Sequence, residues 1–138
     1  HLNSIKPKGY SKIHDTIRQY KKFIGSKSML VIASDFLVNI EEIREALYML
    51  GRHQIKIIQV LDRTEKELKM EGDMKLKDSE TGGILRTFIS PRMRMQYQQQ
   101  LDAHCAKIEE ACNSIGIEYH LAVTDTPIFD TFYKILER

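Results

Sequence analysis

Three acids sit where a parallel sheet would hold a ligand. Asp35 follows the apolar run Ser28-Met29-Leu30-Val31-Ile32-Ala33 after one serine, Asp62 ends the run Ile55–Leu61, and Asp125 follows Ile117–Val123 after Thr124. In open α/β sheets, ligands bind at the carboxyl ends of the strands. Ser34 and Thr124 add hydroxyls at that end, and Ser11 adds another at the start of the first helix. A set of oxygen donors suits a hard divalent cation such as magnesium. Two functions fit such a set: a metal-assisted binding site, or a magnesium-dependent hydrolase or phosphoryl-transfer site using Asp35 with Asp62 or Asp125. Aspartate and serine also cap helices and close turns at strand-to-helix junctions, a role that competes with both.

The other reactive residue types are scattered. No two of the five histidines have the i, i+4 spacing of a zinc-binding helix, and no His-x-Cys pattern occurs. Cys105 and Cys112 are seven apart in one helical segment, about 10 Å along its axis and too far for a mutual disulfide. Two free thiols in a reducing compartment are expected. Gly82-Gly83 has no following Lys-Ser/Thr, so it is no phosphate loop, and no Gly-x-Ser-x-Gly elbow is present. No catalytic nucleophile or cofactor motif is singled out. Lys69, Lys75, Lys77, Arg86, Arg92 and Arg94 make one region basic, which reads as a solvated surface or a face for an acidic partner.

Periodicity supplies the elements that would position these residues. Ser11 is a candidate N-cap, and Ile13, Ile17, Tyr20, Phe23 and Ile24 predict helix one over about 12–24, closed by Gly25. Strand one is about Met29 to Ser34. Asn39 caps helix two, whose inner face is Ile40, Ile43, Ala46, Leu47 and Leu50, and Gly51 stops it. Strand two is Ile55 to Leu61. Two alternating runs between Met70 and Ile89, around the turn residues 78–83, predict a β-hairpin. Ser90-Pro91 opens a long third helix to about Ser114, with Tyr97, Leu101, Cys105, Ile108 and Cys112 as its apolar stripe. Strand three, Ile117 to Val123, leads to helix four, with Ile128, Phe129, Phe132 and Ile135 expected inward. The fold class is α/β: three parallel strands in sequence order, a β-hairpin and four helices. Helices two and three should share one face of the sheet, with helices one and four on the other.

The whole 138-residue chain is long enough for one domain with a real core. A net charge of +2, with basic residues spread among acids, gives no footprint for nucleic acid. No apolar run approaches the roughly 20 residues of a membrane span, and no signal peptide is present in the chain as given. The chain begins close to a helix with no strand before it, so a piece of a longer protein is expected.

Several ordered motifs carry a resemblance. They are the strand ending Ser34-Asp35-Phe36-Leu37, the segment Glu41 to His53, and the turn Lys77-Asp78-Ser79-Glu80-Thr81-Gly82. Ser90-Pro91-Arg92 with its long helix, and Gly116-Ile117 to Thr124-Asp125, complete the set. From about Gly9 onward the chain resembles the C-terminal half of the bacterial family known as domain of unknown function 58. That half is similar to a von Willebrand factor A domain. The resemblance implies a three-layer Rossmann-like fold with a metal-ion-dependent adhesion site. Ser11 matches the second-motif threonine and Asp35 the third-motif aspartate, which implies a magnesium site of which this chain carries part. The first motif, Asp-x-Ser-x-Ser, does not occur here. The resemblance further implies a protein-interaction or scaffold role beside a MoxR-type AAA+ ATPase, in the cytoplasm, with tethering to the inner membrane by an upstream segment. In such a sheet strand one pairs with an earlier strand. Without it, the chain is expected to form homo-oligomers through the strand-one edge, or to cover that edge with its N-terminal segment or hairpin.

Overall fold

The structure, a computed structural model, describes residues 13–25, 27–51, 53–67, 72–77 and 84–136. Strands β1 (Met29–Ser34), β2 (Gln54–Leu61) and β5 (Glu118–Val123) form one parallel sheet in the order β1-β2-β5. Ile32 lies beside Ile57, and Ile57 beside Tyr119. The predicted hairpin forms as β3 (Gly72–Lys77) and β4 (Ile84–Ile89), paired antiparallel as a separate two-stranded sheet. Its turn lies outside the described residues.

Helix α2 (Ile40–Leu50) begins where Asn39 Oδ1 accepts the Glu41 N–H at 3.0 Å. Its first-turn Glu41 and Glu42 complement the positive end of the helix dipole. Helix α4 (Pro91–Ser114) begins where Ser90 Oγ accepts the Met93 N–H at 3.2 Å, with Pro91 in the first turn. Gly116 takes the left-handed conformation, φ +72°, that turns the chain out of α4 into β5. Ile43, Ala46, Leu47 and Leu50 of α2 and Ile108 and Cys112 of α4 pack on Ile55 and Ile57 of β2. This is the main core. Among the described residues no helix is long and apolar enough to cross a membrane.

The structure corrects three details. Helix α1 (Ile13–Tyr20, continued by a 3-10 turn at Lys21–Phe23) joins α2 and α4 on one face instead of lying opposite them. Two crossovers in the same direction bring α2 and α4 over β2 and β5, which leaves Leu30 and Ile32 of β1 to be covered by Ile13, Ile17 and Ile24. Among the described residues α5 (Ile128–Leu136) is the one helix on the other face, so the three layers are unequal. Within α5 only Ile135 is buried. Phe129 is 84% exposed, and Ile128, Phe132 and Leu136 also reach solvent. The reason is Lys56: its side chain, buried on that face of β2, donates from Nζ to the Ile135 carbonyl at 2.6 Å and draws only the last turn of α5 onto the sheet. Finally, there are five α-helices among the described residues, because a short α3 (Arg63–Glu67) follows β2.

Candidate functional site

The β1–α2 loop, at the carboxyl end of the sheet, is held in an uncommon conformation. Phe36 is 1% exposed and holds φ at +53°, a left-handed conformation that costs a bulky residue energy unless its surroundings impose it. Four hydrogen bonds do so. Ser34 Oγ accepts the Phe36 N–H at 3.1 Å, and Asp35 Oδ1 accepts the Leu37 N–H at 3.2 Å. Gln59 Nε2 donates to the Asp35 carbonyl at 2.9 Å, and His104 Nε2 lies 2.8 Å from the Phe36 carbonyl, which requires the proton on Nε2. Asp35 and Leu37 remain exposed at the surface of this frame.

Gln59 is the buried anchor. It sits on central strand β2 with no exposure, and its Oε1 accepts the Tyr119 O–H at 2.6 Å. Burial pushes the Tyr119 hydroxyl above its ordinary value and does the same to the neighbouring Cys105 thiol. A thiol raised in this way is mostly protonated at neutral pH and is a weak nucleophile. Cys105 and Tyr119 line a cavity of about 470 Å³ between α4 and β5, with Leu61 and Leu101.

Asp62 caps α3. Its Oδ1 accepts the Thr64 N–H at 2.7 Å and its Oδ2 the Thr124 hydroxyl at 2.9 Å, while Glu65 accepts the Asp62 N–H at 3.0 Å. This reciprocal pattern is a capping box. The Thr64 N–H first, then the Thr64 and Thr124 hydroxyls, hold the Asp62 carboxyl below the usual carboxylate range. Asp125 pairs with Arg63 at 3.1 Å.

The predicted site residues thus fall into two groups. Ser34, the last residue of β1, and Asp35 shape the β1–α2 loop, while Asp62, Thr124 and Asp125 are joined at the ends of β2 and β5. Ser11 lies outside the described residues. Among the described residues no three His, Cys, Asp or Glu side chains are grouped to hold a metal ion. Asp35 is exposed with Oδ1 engaged in the turn, and no second acid of the described residues stands with it. The residues that shape the loop, Phe36, Gln59, His104 and Tyr119, carried one sequence signal: Gln59, like Lys56, is a polar residue within a mainly apolar strand, where a buried amide must find partners.

An uncharacterized protein of Mycobacterium bovis and another of Mycobacterium tuberculosis are each 33% identical to the chain over 90 residues, 65% of this chain and 28% of theirs. An uncharacterized protein of Mycobacterium avium is 34% identical over 90 residues, 65% of this chain and 53% of its own. The chain therefore spans about half the length of one of these relatives and under a third of the others. No solved structure matches it. The sequence model of the family described as "Protein of unknown function DUF58" matches residues 1–107, and the chain belongs to that family.

Proposed function

We propose that the chain is a protein-interaction or scaffold module of von Willebrand A type, with a partial or degenerate metal-ion-dependent adhesion site. Its docking surface is the β1–α2 loop, where Leu37 offers an apolar contact beside the Asp35 carboxylate. The observation that carries the reading is the hydrogen-bonded frame around Phe36. A left-handed phenylalanine held by a serine, a glutamine and a histidine fixes an exposed Asp-x-Leu segment in one shape. A preorganised loop loses little conformational freedom on docking. The partner we favour is a MoxR-type AAA+ ATPase, with the module in the cytoplasm and tethered to the inner membrane from upstream.

The test is capture of a MoxR-type ATPase from the same genome by the wild-type chain and by Leu37→Glu and Asp35→Ala variants that melt cooperatively. Both substitutions should reduce capture. Equal capture by all three would remove this loop from the interface. Magnesium separates the metal-dependent version. A site with a Kd near ~0.1 mM would add about 2.7 kcal/mol of stability at ~10 mM magnesium. A degenerate site predicts no such gain, and a rise in Tm abolished by Asp35→Ala would show that the site is intact.

A further inference from the structure

We infer that the cavity between α4 and β5 is a regulatory site whose filling changes the shape of the β1–α2 loop through Gln59. That the loop docks a partner rests on the function proposed above, whereas the coupling rests on hydrogen bonds alone. The two carbonyls that fix the loop are each held by a residue tied to the cavity wall. Gln59 Nε2 holds the Asp35 carbonyl at 2.9 Å, and Gln59 Oε1 takes the hydroxyl of cavity-lining Tyr119 at 2.6 Å. His104 Nε2 lies 2.8 Å from the Phe36 carbonyl, and the next residue of α4 is cavity-lining Cys105. The Cys105 thiol in turn interacts with both Gln59 and Tyr119.

Gln59 does not give at one end without giving at the other. On central strand β2 it stands beside Ser34 of β1 and Leu121 of β5, so its amide reaches from the loop to the cavity. It has no exposure, so bulk water does not replace a partner it loses. The amide is planar, with its acceptor and donors on opposite arms. Turning it to follow Tyr119 therefore takes Nε2 off the Asp35 carbonyl. The loop supplies the element with two states. Phe36 at φ +53° holds a conformation that a bulky residue keeps only while its surroundings impose it. Freed of one carbonyl bond, it relaxes toward negative φ and carries Asp35 and Leu37 with it. Coupling between two places needs a bistable element that both of them bias, and the Phe36 frame is one.

The cavity has the size and lining of a small-molecule site. Its volume of about 470 Å³ lies within the ordinary range for such sites. Leu61, Leu101 and Leu121 give it apolar walls. Its charged lining is mixed, Lys66 with Asp102 and Glu109, so an uncharged molecule fits better than an ion. The matching ligand is a largely apolar molecule with one hydrogen-bond acceptor, which takes the Tyr119 O–H from Gln59. Filling the cavity releases the loop, and the unfilled cavity keeps it in its fixed shape. By linkage, docking at the loop weakens binding in the cavity by the same factor.

Methyl methanethiosulfonate enforces occupancy. It converts the partly exposed Cys105 thiol to a methyl disulfide, releasing methanesulfinate, and so places a methylthio group in the cavity. Mass spectrometry checks that one label is present and that buried Cys112 stays free. Hydrogen exchange is then read with no partner added. The Phe36 and Leu37 amides should exchange about fivefold faster in the labelled chain, the loss of one ordinary hydrogen bond, while Ile43 and Leu47 keep their rates. Tyr119→Phe cuts the path and should remove most of the difference between labelled and unlabelled chains. The same label on exposed position 107, through Lys107→Cys with Cys105→Ser, should leave the loop unchanged. Unchanged exchange at Phe36 and Leu37 on labelling Cys105 overturns the proposal, and so does an undiminished difference in the Tyr119→Phe chain. Capture of the ATPase is scored separately. Faster exchange with equal capture by labelled and unlabelled chains supports the coupling and removes the loop from the interface. Unchanged exchange, with capture still lost in Leu37→Glu, overturns the coupling and leaves the docking surface standing.

Discussion

Gln59→Ala is the sharpest test of the frame around the candidate loop. The substitution strands the Tyr119 hydroxyl and the Asp35 carbonyl, which Gln59 holds at 2.6 and 2.9 Å. A buried group left without its partner costs about 1–3 kcal/mol. The low end applies to both, because Tyr119 borders a cavity and Asp35 is exposed. The space left by the missing amide adds about 1 kcal/mol. The sum is roughly 3 kcal/mol, or roughly 10 °C in Tm for a chain of this size. Gln59→Leu refills most of the space and should cost about 1 kcal/mol less, leaving only the stranded groups. Urea denaturation measures both costs. Hydrogen exchange should show the Phe36 and Leu37 amides losing protection while Ile43 and Leu47 keep theirs. A cost under about 1 kcal/mol for Gln59→Ala, with Phe36 and Leu37 unchanged, would refute the claim that this side chain holds the loop.

Three further outcomes follow from the packing. The Lys56 ammonium, by hydrogen bonding and then by its charge, holds the Glu118 carboxyl below its ordinary value of 4.5. A carboxyl with a lowered folded-state pKa stabilises the fold above the unfolded value and loses that contribution as pH falls through the folded one. Acidification below about pH 4.5 should therefore loosen the β5–β2 contact near α5, and Glu118→Gln should flatten this part of the pH profile in thermal melts. Lys56→Met leaves the Ile135 carbonyl without its donor, so the amides of α5 should exchange faster than in the wild-type chain while those of α2 keep their rates, and unchanged α5 rates would show that Lys56 does not hold the helix. Burial raises the Cys112 thiol to about 11, so it should resist alkylation at pH 8 until denaturant is added, while partly exposed Cys105 reacts first.

Local signals made much of this fold legible. Asn39 and Ser90 cap the helices they precede, Gly116 ends α4, and the three apolar runs pair in sequence order. Where sequence reading stopped, long-range contacts decide the outcome. Nothing near Lys56 marks it as the residue that pins the end of α5, because its partner Ile135 lies 79 positions away. The inner stripe expected for α5 was amphipathic as read, but helical period alone does not say whether a partner surface exists. The face chosen by α1 depends on which part of β1 remains uncovered by α2. The short α3 did have a local signature, Asp62 with Glu65 three residues on. In the candidate site, Asp35 was correctly placed at a strand end, whereas its supports come from β2 and α4, 24 and 68 residues away for the two carbonyl contacts.

The strand order also ranks the two strand pairings by cost. β1 and β2 are separated by one helix of 11 residues, a short loop to close, whereas β5 follows β2 only after α3, the hairpin and the 24-residue α4. Closure entropy rises with loop length, so the β1–β2 pairing is cheaper to close than the β2–β5 pairing. The side of central strand β2 that meets β5 is thus the costlier one to complete, and Ile57 and Gln59 find Tyr119 only once it is closed. Any change that weakens α4 or β5 therefore uncovers β2, the strand at the centre of the sheet, before it uncovers the β1–β2 pair.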